Sequence, residues 1–365
     1  MPKIFFDHQK FSTQRYGGIS RYFANLMDDL EGGGFEVLLG VLHTQNEYLK
    51  NKRASRNYTW LNKILSSKYN QKTYKLNQQY CRSLLKGSNF DIFHPTYYDP
   101  YFIRDLKKPL VITVHDMTHE RLPEYFWAED PLTYNKRLNI ERADKIIAIS
   151  ETTKQDLIQF SKVDPARIEV VYHGIDLESS FEVTPVPGLP DNYLLYVGDR
   201  SGFKNFYLFA RAFRLILERY PDIRMVLSGG GDLAMGEREF LHNLGILEKV
   251  DHFHVSDSEL TYLYRHAVAF IYPSLHEGFG LPILEAFRAG CPIVLSDTPC
   301  FREIAGDAAL YFESHSVESL FTVLEVVFGN SALRTKAISA GAARIQAFPI
   351  SKTTAETVKV YQSVL

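Results

Sequence analysis

Short apolar runs that end in Gly, Asp, Ser or His and lead into helix-like stretches recur along the whole chain, and this repeat constrains the fold more than any other feature. A strand followed each time by a helix packs as a parallel sheet with helices on its faces, so the chain reads as α/β. Candidate strands in the first half are Lys3–Phe6, Glu36–Val41, Ile92–His94, Leu110–Val114, Lys145–Ile149 and Ile168–Tyr172. A second set follows at Tyr193–Val197, Arg224–Leu227, His252–Val255, Ala269–Tyr272, Ile293–Leu295 and Leu310–Phe312. Between them lies Glu182–Asp191, EVTPVPGLPD, whose three prolines and one glycine neither sheet could absorb. The expected domains are therefore residues 1–185 and 186–350, with an amphipathic helix at 351–365 that could cross back to the first. Two doubly wound domains meeting at a cleft place their ligand sites at strand-to-helix turns.

One such turn follows Ala269–Tyr272. Glycines 278 and 280 end the loop, and Pro282 suits the first turn of a helix starting near Leu281, because its missing N–H would be unpaired there anyway. Backbone amides around Phe279, Gly280 and Leu281, with the positive end of the helix dipole, suit electron-rich oxygens, and Gly278 and Gly280 permit close approach. Glu277 on the loop and Glu285 one turn inside the helix can meet different parts of one ligand, and carboxylates suit vicinal sugar hydroxyls. A second turn, GDRSGFKNFYLF after Tyr193–Val197, carries Arg200 and Lys204 at its mouth, where two cations would stabilise a departing diphosphate without a metal. The absence of any Asp-x-Asp triplet points the same way. A third turn, His115–Asp116 after Leu110–Val114, invites an acid/base reading, with Asp116 orienting the turn rather than reacting. The Gly17–Gly18 pair before a helix offers amides to phosphate or acceptor. Gly229–Gly231 suits either a close nucleotide approach or a plain turn.

The string HEGFGLPILEAFRAGCPIV resembles the signature of the retaining glycosyltransferases of family 4, the glycosyl transferases group 1, whose Glu-x7-Glu motif it matches at Glu277 and Glu285. The resemblance implies the GT-B fold, two Rossmann-like doubly wound domains facing across a cleft. It also implies that Glu277 holds donor-sugar hydroxyls, Glu285 the nucleotide ribose, and the amides of Phe279, Gly280 and Leu281 the sugar. Relatives place an Arg and a Lys followed by Asn after the first strand of the second domain. Here Phe203 stands where many have the Arg, so that role passes to Arg200 beside Lys204. By the same resemblance His115 approaches the reacting carbon, the Gly17–Gly18 loop closes over phosphates and acceptor, and the Val255 backbone meets the base. YGGISRY, VHDMTHE and VGDRSGFKNF are most similar to bacterial mannosyltransferases of O-antigen and other surface polysaccharides. The implied reaction is metal-independent and retaining. It needs no cofactor beyond a donor substrate, GDP-mannose first and a UDP-sugar second, and its acceptor is a glycan or lipid-linked glycan. An epimerase would need an acid/base pair over the sugar, and a phosphorylase a pyridoxal-phosphate lysine. A non-catalytic nucleotide-sugar scaffold would not need all three of Glu277, Lys204 and His115.

Composition narrows the setting. At 365 residues, 45% hydrophobic, the chain can fill two cores, and a net charge of -2 argues against nucleic acid as a global partner. Cys81, Cys291 and Cys300 lack disulfide or zinc spacing and read as small buried side chains. No apolar run approaches the ~18–20 residues of a bilayer span, and MPKIFFDHQKF lacks a signal-peptide layout, so a cytoplasmic location is expected. Residues 49–90, however, hold ten Lys and Arg, interleaved with aromatic and aliphatic side chains, and no Asp or Glu. That mixture suits either a solvated pair of helices or peripheral contact with an anionic membrane on its inner face.

Overall fold

The computed structural model describes residues 1–49, 71–178 and 183–365. Two compact units emerge, Met1–His173 with Ser351–Leu365, and Gly174–Ile350. The division thus falls upstream of the break expected at 185. The reason is local: the Ile175 N–H donates to Phe348 O at 2.9 Å, the Ile350 N–H to Ile175 O at 3.0 Å, and the Thr184 N–H to Ser258 O at 3.4 Å. The chain is already tied to the second unit before its prolines begin.

In the first unit the strands are β1 (Lys3–Phe6), β2 (Glu36–Leu39), β3 (Ile92–His94), β4 (Val111–Val114), β5 (Lys145–Ala148) and β6 (Ile168–Val170). All pairings are parallel, in the orders β2-β1-β3 and β4-β5-β6. A single bridge, Phe93 with Leu110, joins the two triplets, and Pro109 beside it can accept a ladder bond but not donate one. Alternate residues fill two cores. Phe5, Phe93, Ile112 and Ile146 face one, and Ile4, Phe6, Ile92, Val111 and Ile147 the other, as expected for a sheet covered on both faces. The final helix, Ile350–Gln362, adds Val360 and Tyr361 to the second of these cores. Thr353 Oγ1 donates to Tyr172 O at 2.8 Å, and Tyr361 Oη lies 2.7 Å from His94 Nδ1.

Burial holds several histidines of this unit neutral, which has a consequence for acid stability. Burial lowers the pKa of His8 to about 4, of His94 to about 3 and of His173 to about 3. In the unfolded chain each takes up a proton below about pH 6.5, so the unfolded state binds more protons and stability falls as pH drops through that window. Each ring adds a slope of about 1.4 kcal/mol per pH unit between its two pKa values. Urea midpoints of this unit are expected to fall steeply from about pH 6.5 toward about 4. A flat profile would show that these rings are protonated in the native protein.

In the second unit, β7 (Tyr193–Val197), β8 (Arg224–Ser228), β9 (Val250–Phe253), β10 (Ala269–Tyr272), β11 (Ile293–Ser296) and β12 (Leu310–Phe312) form one parallel sheet. Its order is β12-β11-β10-β7-β8-β9. The chain starts in the middle, winds to one edge, and returns to wind to the other, so β7 and β10 flank the point where the order reverses. β9 begins two residues before the expected His252, because Val250 pairs with Met225, and Val255 precedes the helix cap Ser256 instead of ending the strand. On the helix Phe206–Leu217, Phe206, Phe209, Phe213 and Ile216 form one buried stripe at helical spacing.

Candidate active site

The loops that leave β7 and β10 are locked together. Leu275 N–H donates to Phe203 O at 2.8 Å, and Lys204 Nζ lies 2.6 Å from Glu277 Oε1. Both side chains of this ion pair are more than four-fifths buried, and Tyr272 at the end of β10 also hydrogen-bonds Glu277. Burial first, and then the charge of Glu277, push the Tyr272 hydroxyl well above its ordinary pKa, so it stays a donor. The Lys204 ammonium sits 5.0 Å from the Phe203 ring centroid and 5.9 Å from that of Tyr272. A carboxylate and an ammonium are thus fixed side by side at the reversal point of the sheet, where doubly wound folds bind ligands.

The helix Leu281–Ala289 begins directly after this pair, with Pro282 in its first turn. Gly280 has φ +93, and an added Cβ would come within 3.1 Å of Ile283 and 3.3 Å of Phe301, so a side chain would be strained in its backbone and crowded by both neighbours. Phe279 is buried against Phe348, which orients the backbone of the turn, and Gly278 is buried beside it. Glu285 is half-buried, with its Oε2 3.5 Å from Tyr264 Oη. Val255 stands beyond β9, two strands from β7. The carboxyl ends of β10, β7, β8 and β9 therefore make a row about 14 Å long at sheet spacing, enough for an extended nucleotide sugar.

Arg200 is engaged within the protein. Its guanidinium is buried: Nε donates to Glu237 Oε1 at 2.9 Å, Nη1 to Gly229 O at 3.1 Å, and Nη2 to Gly231 O at 2.9 Å and Asp232 O at 3.1 Å. Gly229, Gly230 and Gly231 all have positive φ, which turns successive carbonyls toward one centre, and Arg200 fills it. The triple glycine is thus an arginine-bound turn, with Glu237 as the counter-charge.

In the first unit, the His115 N–H is held by Tyr98 Oη at 3.0 Å, and its ring stacks on that of His173 at 5.9 Å. The ring is buried, with no hydrogen-bond partner for Nε2. Burial, then the neighbouring His173 and Lys10, keep it neutral. Burial alone would raise Asp116, but Lys136 and the bonds from Thr118 bring it to about 2. Its Oδ1 accepts from Thr118 N at 2.9 Å, so it is an anion that caps its own turn. Lys136, 1% exposed, binds Asp116 O at 3.0 Å and Glu120 at 2.9 Å, pinning the turn from below. Gly17 starts the helix Gly18–Gly32 in an extended conformation, with its carbonyl accepting from Arg21 N and Ser20 Oγ, and Gly18 is exposed.

Sequence reasoning missed Tyr272, Glu237 and Lys136, and also Lys10. The Lys10 ammonium lies 3.4 Å over the Tyr97 ring, and burial lowers its pKa to about 8 despite Asp116 nearby. A strand-end Tyr before Pro273 was the one available hint; a lysine that becomes buried gives none, since lysines are ordinarily exposed.

Residues 184–344 match the family described as Glycosyl transferases group 1, and residues 16–179 match Glycosyltransferase Family 4. The chain belongs to this glycosyltransferase family. The O-antigen chain mannosyltransferase RfbU of Salmonella typhimurium is 29% identical over 231 residues, which span 63% of each chain. O-antigen chain mannosyltransferase B of Escherichia coli is 28% identical over 296 residues, 74% of each. The match to the first of these spans less than two thirds of its length. Among solved structures, Anabaena HepE in complex with UDP superposes with a TM-score of 0.70 at 16% identity over 100% of both chains. WaaG, a glycosyltransferase involved in lipopolysaccharide biosynthesis, gives 0.70 at 16% over 99% of each. These likenesses establish the GT-B fold of two Rossmann-like domains for this family 4 chain.

Proposed function

We propose that this chain is a retaining glycosyltransferase that moves a hexose from a nucleoside-diphosphate sugar to a glycan or lipid-linked glycan acceptor in surface-polysaccharide biosynthesis. The observation that carries this reading is the Lys204–Glu277 pair at the sheet reversal, beside the N-terminus of Leu281–Ala289. Glu277 holds sugar hydroxyls, Glu285 the ribose, and the amides of Phe279, Gly280 and Leu281 the sugar. Gly278 gives close approach, and the Val255 backbone meets the base. Lys204 takes the diphosphate in place of a metal, and Arg200 is a positioning residue that shapes the adjoining turn. In the first unit, the neutral His115 offers Nε2 to a donor-sugar hydroxyl, Asp116 fixes its turn, and Gly17 and Gly18 present backbone to phosphate or acceptor.

In this reading the bond from the anomeric carbon to the phosphate oxygen breaks as the acceptor oxygen bonds to the same face. The acceptor's proton passes to the departing phosphate. The names of the O-antigen relatives favour mannose from GDP-mannose over a UDP-sugar. Nucleoside diphosphate release from a panel of nucleotide sugars, with and without lipid-linked acceptor, tests donor and activity together, and NMR of the product reads its anomer. An inverted anomer, or a trapped glycosyl-enzyme, would overturn the mechanism, and the absence of turnover with every donor would favour a scaffold.

We also propose peripheral membrane contact through residues 49–90, of which 50–70 lie outside the described residues. The described helix Gln71–Gly87 buries Asn77, Cys81 and Leu85 and exposes Lys72, Lys75, Leu76, Arg82 and Lys86. Each basic group near an anionic surface contributes about 1 kcal/mol, so reversing these four charges is expected to abolish flotation with anionic liposomes at low salt. Undiminished flotation would sink the idea. Among the described residues no helix is long and apolar enough to cross a membrane.

A further inference from the structure

At the edge of the second unit's sheet, away from Lys204 and Glu277, three ligand-type side chains converge. His252 lies in β9 and His254 two residues further on, a spacing that puts both on one face of an extended chain. Their ring centroids are 4.7 Å apart. Asp232, at the end of the glycine turn after β8, brings Oδ1 to 2.9 Å from His254 Nε2. One ligand atom from each of the three lies within 4.8 Å of the others.

We propose that Asp232, His252 and His254 form a site for a divalent transition-metal ion of the zinc, cobalt or nickel type. Two imidazoles and one carboxylate are a donor set for such ions, whereas magnesium and calcium favour oxygen alone. A tetrahedral ion with bonds of about 2.0–2.2 Å spaces its ligands about 3.3–3.6 Å apart, so the three side chains, within 4.8 Å of one another, would draw in around it. Asp232 and His254 are exposed enough to turn onto an ion without disturbing the core. His252 Nε2 lies 3.0 Å from Gly229 O. A carbonyl only accepts, so that nitrogen carries the hydrogen and leaves Nδ1 with the lone pair; a backbone carbonyl in this position is the usual device for orienting a metal-bound imidazole. His254 ligates through Nε2 once its hydrogen resides on Nδ1.

The site is separate from the diphosphate chemistry assigned to Lys204. Its ion would clip the Gly229–Asp232 turn to β9, while Arg200 holds the carbonyls of the same turn. Metal binding is therefore expected to stiffen the setting of Arg200.

The test uses the full chain without a histidine tag, stripped with EDTA. Calorimetric titration with Zn2+, and with Co2+ followed by visible absorption, is expected to give one equivalent with a dissociation constant in the micromolar range and a rise in Tm that EDTA reverses. Mg2+ should not compete. His254→Ala and the near-isosteric Asp232→Asn should each weaken binding roughly tenfold or more. Circular dichroism and the metal-free Tm check that both variants are folded. The proposal is overturned if Zn2+ fails to bind up to about 1 mM, or if His252→Ala/His254→Ala binds it with unchanged stoichiometry and affinity.

Discussion

Glu277→Gln is expected to lower kcat/KM for sugar transfer by roughly 10²- to 10³-fold while leaving the fold intact. Two losses combine. A hydrogen bond between a carboxylate and a sugar hydroxyl contributes about 1.5–3 kcal/mol, and the neutral amide forfeits most of it. The second loss is positional, because Lys204 is held 2.6 Å from Glu277 and an amide no longer fixes the ammonium. A buried cation without its anion costs more than the pair gained, so Lys204 should turn elsewhere. Lys204→Met should be similarly impaired, and the double variant should lose much less than the sum, with a coupling of about 0.5–3 kcal/mol. The split between kcat and KM assigns the role: a contact made only in the transition state lowers kcat, and one made equally in the ground state raises donor KM. Full transfer activity in Glu277→Gln would refute the donor-site assignment, and additive losses would refute the coupling.

The strands were legible because apolar runs bounded by turn residues are a local property, and even the reversal of strand order is compatible with the plain β-α repeat. What the repeat did not carry was the division between units. Proline density marks where a chain cannot join a sheet, but the boundary is set by Ile175 pairing with Pro349, residues far apart in sequence. The site divides along the same line. Glu277, Gly280, Pro282 and Glu285 sit within one loop and helix start, so their proximity was legible locally, while a common ligand for the two glutamates was implied by the resemblance to family 4. The bonds of Arg200 needed tertiary information: a basic residue at a strand end gives no local sign that the neighbouring glycine turn wraps it. Lys136 was invisible for a related reason, since its burial depends on Glu120 and on the carbonyl of Asp116.

The arginine-bound turn allows a sharper test than deleting the arginine, which would take the counter-charge from Glu237 and the guanidinium donor from the carbonyls of Gly230, Gly231 and Asp232 together. Gly230 and Gly231 have nearly the same backbone, φ +70 and φ +72, but different surroundings. A Cβ on Gly230 would lie 2.9 Å from Arg200 Nη1, from the Cα of Asp199 and from Gly198 O, two of them backbone atoms that cannot swing aside. A Cβ on Gly231 would meet nothing within 4 Å. Gly231→Ala should therefore cost only the left-handed strain of a non-glycine residue, about 1–2 kcal/mol in urea unfolding, with donor KM nearly unchanged. Gly230→Ala adds a collision to the same strain and should cost about 2–4 kcal/mol. It should also raise donor KM tenfold or more, because the turn and the Arg200 loop must part where the nucleotide is expected to lie. Matching Tm and KM values for the two variants would show that the turn has no bearing on donor binding. A raised KM in Gly230→Ala alone would tie donor affinity to the packing of this turn on Arg200.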